Sequence, residues 1–474
     1  MSSIQEHWRG HYAGVPATLA SLQGIESVLS VFNTNIDAVR TITPEVFQAL
    51  VEQAGDPGIG GDDGRREIAS PADLVRGFVA CFRGGIAQEW LVTGEETYRW
   101  LDAHVGYDRL QMGGQGGIIA NVMATCGIRS VLVHAASLPA QQGALFVDRP
   151  NLLSATGDGR LAPAHRIDRA ADVPLVHWIL EFRRGDTIRI GSEEITCPKS
   201  NRFIATWDPL NFTLSIDSNF VEAVDAHESP LEYCMLSGYQ MLSEQLAGGG
   251  TSLERIAASK RIVDRWREKS PGLVVHFEFA STQDAVVRRQ LFAEMGGWAD
   301  SMGLNEQELI DVLEVAGEAD LAAACRRSPS SVDLFEGLRW VFEHAGVSRI
   351  QLHFFGLYLT LQKKGHRHDP VQTRNGMTLA ATIAASKAGT GSIDTTENLL
   401  WAHGHPIGEA AGRELTALAE HLARSDGESR LAETGIHEGE RFDVVAVPTI
   451  IVDDPVTLVG MGDTISSLSL VGAR

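Results

Sequence analysis

The order of secondary-structure signals in the second half of the chain limits the folds that are open to it. From about residue 208 onward, short apolar segments such as 272–279, 349–353 and 444–447 alternate with long helical patterns. This alternation is typical of βαβ units, in which a helix connects two parallel strands. The sequence therefore predicts an α/β fold with a central, mostly parallel sheet.

The first half of the chain indicates a second, smaller domain. An apolar strand at 25–32 leads into a polar stretch, and strand signals cluster again at 176–190. A chain of 474 residues is also too long for one simple domain. We expect a large α/β domain formed by residues 1–37, 112–150 and 208–474, and a small β-rich domain formed by residues 38–111 and 151–207.

Charge and cysteine content narrow the range of functions. The formal net charge is −21, from 40 Lys and Arg against 61 Asp and Glu, which disfavours nonspecific binding to nucleic acid. The five cysteines are scattered without a Cys-x-x-Cys pair, which indicates neither a zinc site nor a disulfide framework. No apolar run has membrane-spanning length, and the polar N-terminus lacks a signal-peptide pattern. We therefore expect a cytoplasmic protein that binds neither membranes nor nucleic acid.

Near the C-terminus, residues 457–466 have the order of an apolar strand, a Gly-x-Gly-Asp turn and a helix start. Gly460 and Gly462 allow the backbone to bend sharply and to approach a ligand closely. The N-terminus of the following helix presents unpaired N–H groups and a partial positive charge, which suit a phosphate group. Asp463 stands where it could take a proton from a nucleophile that attacks such a phosphate. The pattern alone is weak, because Gly-x-Gly-Asp also occurs by chance.

Two patterns in the first half are candidates for ligand contacts. Asn35 and Asp37 share one face of an extended segment, where they suit sugar hydroxyls; the alternative is a solvated loop cap. The glycines of 113–117 stand at a helix entry. They allow close approach either of a ligand or of neighbouring backbone in helix–sheet packing. Neither pattern decides between its two interpretations.

Two acidic patterns in the second half are candidates for holding a cation. His276 and Glu278 share a face at the end of an apolar strand, where α/β folds place their ligands; the alternative is a hydrogen-bonded core histidine. Asn305 and Glu308 are three residues apart and face the same way on a helix. A carboxylate and an amide suit a hydrated Mg²⁺, and the alternative is a helix start capped by the asparagine.

These patterns occur in one order along nearly the whole chain, and together they resemble a known family. The ADP-dependent glucokinase and phosphofructokinase family, within the ribokinase-like superfamily, has segments similar to residues 33–38, 112–121, 201–204, 276–281, 305–309 and 460–466. The resemblance implies a ribokinase-like large domain that binds the nucleotide and a small domain that closes as a lid over the sugar. It also implies transfer of a phosphoryl group from ADP to a hexose hydroxyl, with AMP as the product.

The resemblance assigns roles in phosphoryl transfer to five of the candidate residues. It implies that Asp463 is the catalytic base and that Gly460 and Gly462 belong to the anion hole. Glu278 and Glu308 are expected to organise Mg²⁺, and Asp463 is expected to reach the same ion through water.

The resemblance also predicts the contacts to the two substrates. The residues expected to contact the sugar are Asn35, Asp37, Gly114, Gln115 and His177. His353 and Gly462 are expected to lie beside the nucleotide, together with the loop 401–405.

The identity of the sugar depends on the small domain. Glu89 aligns with a glutamate of glucose-using members, where a carboxylate accepts a sugar hydroxyl and disfavours a phosphorylated substrate; the alternative is a surface charge. Fructose 6-phosphate would need a cationic pocket, for which Arg202, Arg183 and Arg184 are candidates. The lysine that the family carries in this domain is not evident in 161–171. The sequence favours glucose, and it leaves open fructose 6-phosphate or both substrates.

Three other functions remain as alternatives. An ATP-using ribokinase-like kinase would differ in its phosphoryl donor. A catalytically inactive sugar-binding protein would be expected to lack Asp463 or Glu308, and both are present. A dinucleotide-dependent oxidoreductase would carry Gly-x-Gly-x-x-Gly after its first strand, and 28–37 contains none.

Overall fold

The computed structural model describes residues 3–55, 64, 66–282, 284–327, 329–354, 356–457 and 459–474. Its strands are β1 (Ser27–Val31), β2 (Asn35–Thr41), β3 (Glu67–Ile68), β4 (Gln88–Val92), β5 (Arg109–Gly113), β6 (Val131–Val133), β7 (Leu152–Ala155), β8 (Leu161–Pro163), β9 (Val176–Phe182), β10 (Thr187–Ile190), β11 (Glu193–Thr196), β12 (Asn201–Trp207), β13 (Leu231–Leu236), β14 (Val274–Glu278), β15 (Ser301–Asn305), β16 (Arg349–Phe354), β17 (Leu357–Lys363), β18 (Ile436–Glu438) and β19 (Phe442–Pro448).

Helices connect and cover these strands. They are α1 (Ser3–Tyr12), α2 (Val15–Ser21), α3 (Pro44–Ala54), α4 (Pro71–Gly84), α5 (Glu95–His104), α6 (Gln115–Thr125), α7 (Ala140–Gly143), α8 (Ser218–Ala226), α9 (Ser252–Lys269), α10 (Ala285–Met295), α11 (Glu306–Ala316), α12 (Ala319–Arg327), α13 (Ser331–Ala345), α14 (Pro370–Thr390), α15 (Thr396–Leu399), α16 (Glu409–Asp426), α17 (Leu431–Thr434) and α18 (Met461–Val471). Within the described ranges, no helix combines the length and apolar composition needed to cross a bilayer.

The larger of the two main sheets has the order β18-β19-β17-β16-β15-β14-β13-β1-β6-β7-β8. The pairs from β16 through β7 are parallel, and the pairs outside this block are antiparallel. The central strands β1 and β14 are buried along their whole length, as expected when helices cover both faces of a parallel sheet. The predicted α/β fold with a mostly parallel central sheet is confirmed. We call this sheet with its helices the large lobe.

A second sheet, of order β3-β4-β12-β9-β2-β5, forms what we call the small lobe. It mixes parallel and antiparallel pairs, and α3, α4 and α5 pack on one of its faces. Its hydrophobic core, which includes Phe78, Phe82 and Phe182, is separate from the core of the large lobe. The opposite face of the sheet carries polar side chains, and we call it the cleft face.

One predicted domain boundary and one predicted strand need correction. Residues 151–163 were expected in the small domain, but β7 pairs in parallel with β6 and β8 pairs with β7, so both strands belong to the large sheet. The apolar strand expected at 457–459 is also wrong. Thr457 and Val459 are not in a strand, and residue 458 lies outside the described residues. The neighbouring backbone N–H of Val456 is hydrogen-bonded at 2.7 Å to the carbonyl of Ala388 in α14 rather than to a strand.

The chain passes between the lobes at four neighbouring places. These are the connections from β1 to β2, from β5 to α6, from β8 to β9, and the segment after β12. Asn211, in the large lobe, donates through Nδ2 to the carbonyl of Thr34 at 3.1 Å, and Ile36 N donates to the Leu175 carbonyl at 2.8 Å. The predicted ligand-contacting residues Asn35 and Gln115 both lie next to these crossings.

Candidate active site

The helix start predicted near the C-terminus is confirmed. Gly460 precedes the first turn of α18 with φ of 62°, a left-handed conformation that favours glycine. A Cβ atom on Gly460 would also lie only 2.6 Å from Ile118 Cδ1. The first-turn N–H groups of α18 lack intrahelical partners by the geometry of any helix start, so this turn is suited to an anion.

Asp463 lies in the first turn of α18 and is almost fully buried. Burial raises the pKa of its carboxyl group, while a hydrogen bond with Gln115 and the charge of Lys387 oppose the rise. Gln115 accepts through Oε1 from the backbone N–H of Gly238 at 3.2 Å, so its amide nitrogen is left to donate to Asp463. The structure thus brings together the predicted base and a predicted sugar contact.

Lys387 is a functional candidate that sequence reasoning missed. It lies on α14, and its Nζ donates to the Gly460 carbonyl at 3.3 Å and to Thr464 Oγ1 at 3.5 Å. Burial lowers the pKa of its ammonium group to about 8, although Asp463 and Asp394 favour the charged form. A single lysine within a long helical pattern carries no local signal of this role.

The two predicted cation-organising carboxylates end up close to Asp463. Glu278 ends β14, and its Oε2 lies 3.1 Å from His276 Nε2. Glu308 lies in the first turn of α11, where its Oε2 accepts from the N–H of Asn305 at 2.8 Å and Asn305 Oδ1 accepts from its N–H at 3.0 Å. The Asn305–Glu308 pattern is therefore a helix cap, and the capping carboxylate is nevertheless buried.

The charged forms of these carboxylates are disfavoured by burial and by one another. Burial, then the nearby charges that include Asp463, raise the pKa of Glu308 to about 8. Burial, with repulsion from Asp463 and Glu308, raises the pKa of Glu278 well above its usual range. In the described part of the chain, no group of three His, Cys, Asp or Glu side chains is arranged to bind a metal ion directly. The donor set instead fits an ion held through its own waters, as Mg²⁺ often is.

Asn35 and Asp37 lie together on one extended segment, as predicted, and this segment is β2, the first strand of the small lobe. Ile36 and Ala38 fill the small-lobe core, so the two polar side chains alternate onto the cleft face. Asn35 Nδ2 donates to Asp37 Oδ1 at 2.8 Å, and Asn35 Oδ1 is buried without a partner among the described residues. An acceptor left unpaired in a buried position suits a ligand hydroxyl.

His177 and Glu89 continue this polar group across the cleft face. His177 is the register partner of Asp37, and its Nε2 lies 3.0 Å from Asp208 Oδ2. Burial opposes protonation of His177, but Asp208, Glu89 and Asp37 outweigh it and raise its pKa. Glu89 accepts from Thr206 Oγ1 at 2.6 Å. Asp208 was missed by the sequence analysis; its only signal is a polar residue directly after a strand.

The glycine-rich segment is explained by packing. A Cβ on Gly113 would lie 2.1 Å from Asp37 Oδ1, and a Cβ on Gly114 would lie 2.7 Å from the Asn33 carbonyl oxygen. These glycines let the start of α6 press against the first crossing between the lobes. The packing interpretation accounts for them, and the sugar contact expected for Gly114 stays a prediction.

The arginines considered for a sugar phosphate lie farther away. Arg202 is exposed at the start of β12, four residues before Thr206, which corresponds to about 13 Å along a strand. Arg183 and Arg184 lie in the turn after β9, at the end remote from the crossings. The structure therefore does not bring these three side chains into the group around Asp37 and His177.

His353 lies directly beneath the first turn of α18. A Cβ on Gly462 would lie 2.7 Å from His353 Nε2, and both residues line a cavity of about 970 Å³. Burial lowers the pKa of His353 to about 4, so its ring is neutral near pH 7. Alanines and isoleucines, among them Ala385, Ala388 and Ile450, form much of the remaining wall. His403 and His405 line a different cavity, between α1 and α16, and so do not face this one.

An α/β fold with a free helix start, a buried carboxylate beside it and a polar cleft is the arrangement expected of a small-molecule kinase. Comparison with known proteins gives the same class. Residues 26–472 match the family model described as the ADP-specific phosphofructokinase/glucokinase conserved region. The chain belongs to the ADP-specific phosphofructokinase/glucokinase family, and it is an ADP-dependent sugar kinase, a phosphotransferase with an alcohol acceptor.

Relatives named as glucose kinases and relatives named as phosphofructokinases both match nearly the full chain. The ADP-dependent glucose/glucosamine kinase of Pyrococcus abyssi is 31% identical, over 99% of this chain and 98% of its own length. The ADP-specific phosphofructokinase of Methanosarcina acetivorans is 27% identical, over 99% of this chain and 97% of its own length. The solved structure of the last common ancestor of ADP-dependent phosphofructokinases from Methanosarcinales superposes with a TM-score of 0.85 at 28% identity, over 99% of this chain and 97% of that one.

Proposed function

We propose that this protein transfers the β-phosphoryl group of ADP to a hydroxyl of a hexose and releases AMP, with Asp463 as the general base. One observation carries the proposal. Asp463 stands in the first turn of α18, where it contacts Gln115 at the crossing between the lobes. It is therefore positioned between the polar cleft face and the cavity that contains His353.

The cleft side is suited to a sugar. Asn35, Asp37 and His177 present donors and acceptors in a buried setting, and the unpaired Asn35 Oδ1 needs a partner. Gln115, with Gly114 beside it, would orient the accepting hydroxyl toward Asp463. Holding the two substrates in line supplies most of what phosphoryl transfer requires from a protein.

The helix side is suited to the phosphoryl group. The N–H groups near Gly460 and Gly462 and the ammonium of Lys387 would stabilise the negative charge on the transferred group. Asp463 would take the proton of the attacking hydroxyl as the new bond to phosphorus forms. The AMP leaving group would remain in the cavity that His353 and Gly462 line.

Mg²⁺ is the cation that this arrangement would use. Glu278, Glu308 and Asp463 would hold it through its waters, because the three carboxylates lie close together in a buried setting where a cation would stabilise their charged forms. When bound, the ion would offset the charge of the ADP phosphates.

Glucose is the acceptor we favour. Glu89 lies within interacting distance of Asp37 and His177, on the same face of the sheet. The phosphate group of fructose 6-phosphate would be repelled by the three carboxylates of Asp37, Glu89 and Asp208. The hydroxyl groups of glucose would instead find hydrogen-bond acceptors there.

Fructose 6-phosphate is the second candidate. Several relatives of this chain are named ADP-specific phosphofructokinase, and one solved relative is described as an ADP-dependent kinase complex with fructose-6-phosphate and ADPβS. Arg202 is exposed on the cleft face, one pleat beyond Ile204, the register partner of Glu89. Closure of the small lobe as a lid would be needed to bring this arginine to a substrate.

The division into a nucleotide-binding large domain and a small lid domain is part of this proposal, with β7 and β8 moved to the large domain. Closure of the lid would exclude water, which competes with the sugar as phosphoryl acceptor. The cytoplasmic location stays a prediction from the sequence.

The acceptor is tested by supplying ADP and Mg²⁺ with glucose and with fructose 6-phosphate in parallel reactions. A higher kcat/KM for glucose supports the role given to Glu89. Turnover of fructose 6-phosphate alone would show that Glu89 does not exclude the phosphate and would make Arg202 the next residue to substitute.

A further inference from the structure

A row of buried polar side chains crosses the core of the large lobe beneath α18. Arg349, at the start of β16, is fully buried, and its Nη1 donates to Ser301 Oγ at 3.1 Å. Ser301 Oγ lies 2.9 Å from His276 Nδ1, and His276 Nε2 lies 3.1 Å from Glu278 Oε2. The row therefore connects the far end of the parallel sheet to one of the carboxylates of the candidate active site.

The first member of the row limits the direction of its hydrogen bonds. A guanidinium has donors only, so Ser301 Oγ accepts from Arg349. The hydroxyl hydrogen of Ser301 remains available for His276 Nδ1. In the tautomer in which Nδ1 accepts this hydrogen, the imidazole carries its proton on Nε2, the nitrogen that faces Glu278 and Ser466.

We propose that Arg349 is a positioning residue for phosphoryl transfer, which acts through Ser301 and His276 to keep an N–H group directed at Glu278 and so holds that carboxylate in one orientation toward the cation. The inference rests on the proposed function, in which Glu278 helps to hold Mg²⁺. Hydrogen bonds of this kind, one step behind a metal-organising group, commonly set its orientation.

Stability alone does not explain an arginine at this position. Among the described residues, Arg349 contacts no carboxylate directly, although the charge of Glu278 acts on it from a distance, and its Nε is buried without a hydrogen-bond partner. Burying a guanidinium in this way costs folding free energy.

Glu278 has little freedom of its own in this arrangement. A Cβ on Gly303 would lie 2.2 Å from Glu278 Oε2 and 2.1 Å from Ser466 Oγ, so the glycine leaves the space that both side chains occupy. Ser466, on α18, also lies 2.9 Å from His276 Nε2. The same histidine therefore meets both Glu278 and the helix that carries Asp463.

A second branch of the network supplies a matched control. Arg349 Nη2 donates to Gln351 Oε1 at 2.7 Å, and Gln351 Nε2 donates to Ser469 Oγ at 2.8 Å. Ser469 is as deeply buried as Ser301 and also belongs to the network, but its branch leads away from Glu278. Replacing either serine by alanine removes one buried hydroxyl, and only one of the two replacements interrupts the row to Glu278.

The test compares Ser301→Ala, Ser469→Ala, Arg349→Met and Arg349→Lys in the full chain. Mn²⁺ binding in the presence of ADP is followed by electron paramagnetic resonance, turnover by AMP formation, and folding by thermal denaturation. We expect Ser301→Ala to weaken Mn²⁺ binding and to lower kcat by about 10- to 100-fold. Ser469→Ala should bind Mn²⁺ and turn over nearly as the wild type does, while losing about as much thermal stability as Ser301→Ala. Arg349→Met should follow Ser301→Ala, and Arg349→Lys should recover part of the loss.

Equal effects of the two serine variants, or wild-type Mn²⁺ binding and kcat in Ser301→Ala, would overturn the inference, whatever happens to the folding of Arg349→Met. The Mn²⁺ measurement does not require turnover. A wild type that binds Mn²⁺ with ADP but forms no AMP would contradict the proposed function, while the two serine variants would still decide this inference. A wild type that binds no Mn²⁺ would overturn both.

Discussion

Gly113 lies so close to Asp37 that a Cβ atom on the glycine would stand 2.1 Å from Asp37 Oδ1. The same atom would lie 2.3 Å from Asn35 Nδ2. Asn35 and Asp37 are themselves joined by a hydrogen bond of 2.8 Å. The glycine thus leaves room for this pair at the place where the small lobe meets the start of α6.

Gly113→Ala should therefore weaken sugar binding. The added methyl group must displace Asp37 or Asn35, and a forced shift of this kind costs about 1–3 kcal/mol. We expect the KM for the hexose to rise by tenfold or more, which corresponds to a loss of about 1.4 kcal/mol of binding free energy for each factor of ten. The affinity for ADP, measured by calorimetry, should be unchanged. Gly157→Ala is the control, because a Cβ there would meet nothing within 4 Å. A normal hexose KM in Gly113→Ala would contradict the sugar role of Asn35 and Asp37.

The pairing of His177 with Asp208 predicts a pH-dependent contribution to stability. The pKa of His177 is raised above its usual value of 6.5. The contribution is therefore fully present below pH 6.5 and is lost as the pH rises through the raised pKa. We expect the free energy of unfolding of the wild type to exceed that of His177→Gln more at pH 6 than at pH 9. In an Asp208→Asn background this pH dependence should be smaller, because only Glu89 and Asp37 then oppose the effect of burial, and an undiminished pH dependence would contradict the role given to Asp208.

Glu89→Gln should change the choice of acceptor. Removing one carboxylate from the group around Asp37 and His177 reduces repulsion of a phosphate and weakens acceptance from a sugar hydroxyl. We expect the ratio of kcat/KM for glucose to that for fructose 6-phosphate to fall by about tenfold or more. Glu193→Gln, which removes the same charge on β11 of the small lobe, where Glu193 pairs with Arg83, should leave the ratio unchanged. An equal effect of the two substitutions would assign the change to overall charge.

Sequence reasoning was most successful where a local pattern is enough. The start of α18 at Gly460–Asp463 follows from two glycines and a following helical pattern, and the strands at 272–279 and 349–353 follow from apolar runs. It failed at 457–459, where an apolar run suggested a strand. There the neighbouring N–H of Val456 is hydrogen-bonded near the end of α14, a contact between distant parts of the chain that no local pattern encodes.

The candidate site was predicted least well where it depends on contacts across the fold. Lys387 reaches Gly460 although 73 residues separate them, and Asp208 reaches His177 from another strand end. The glycines at 113–117, by contrast, form a clear local pattern that fits two interpretations. Their pattern suits a ligand loop, and only the distance to Asn33 reveals that the start of α6 needs them for packing.

Lys387→Met should lower the rate of transfer more than the affinity for ADP. The ammonium lies beside the Gly460 turn, where charge would increase on the transferred group, and loss of one such donor costs about 10²–10³ in kcat. Lys363→Met is the control, because Lys363 is exposed and donates to the Gly346 carbonyl at 2.9 Å. A kcat like that of the wild type in Lys387→Met would remove this residue from the anion site.

The central claim is that Asp463 activates a sugar hydroxyl to attack ADP. The most direct test supplies hexose and Mg²⁺ with ADP or with ATP and counts AMP and sugar phosphate for the wild type and for Asp463→Asn. We predict one AMP for each sugar phosphate with ADP, little product with ATP, and a kcat for Asp463→Asn lower by about 10²–10⁴-fold with hexose binding retained. Product formation from ATP alone, or undiminished turnover by Asp463→Asn, would contradict the account.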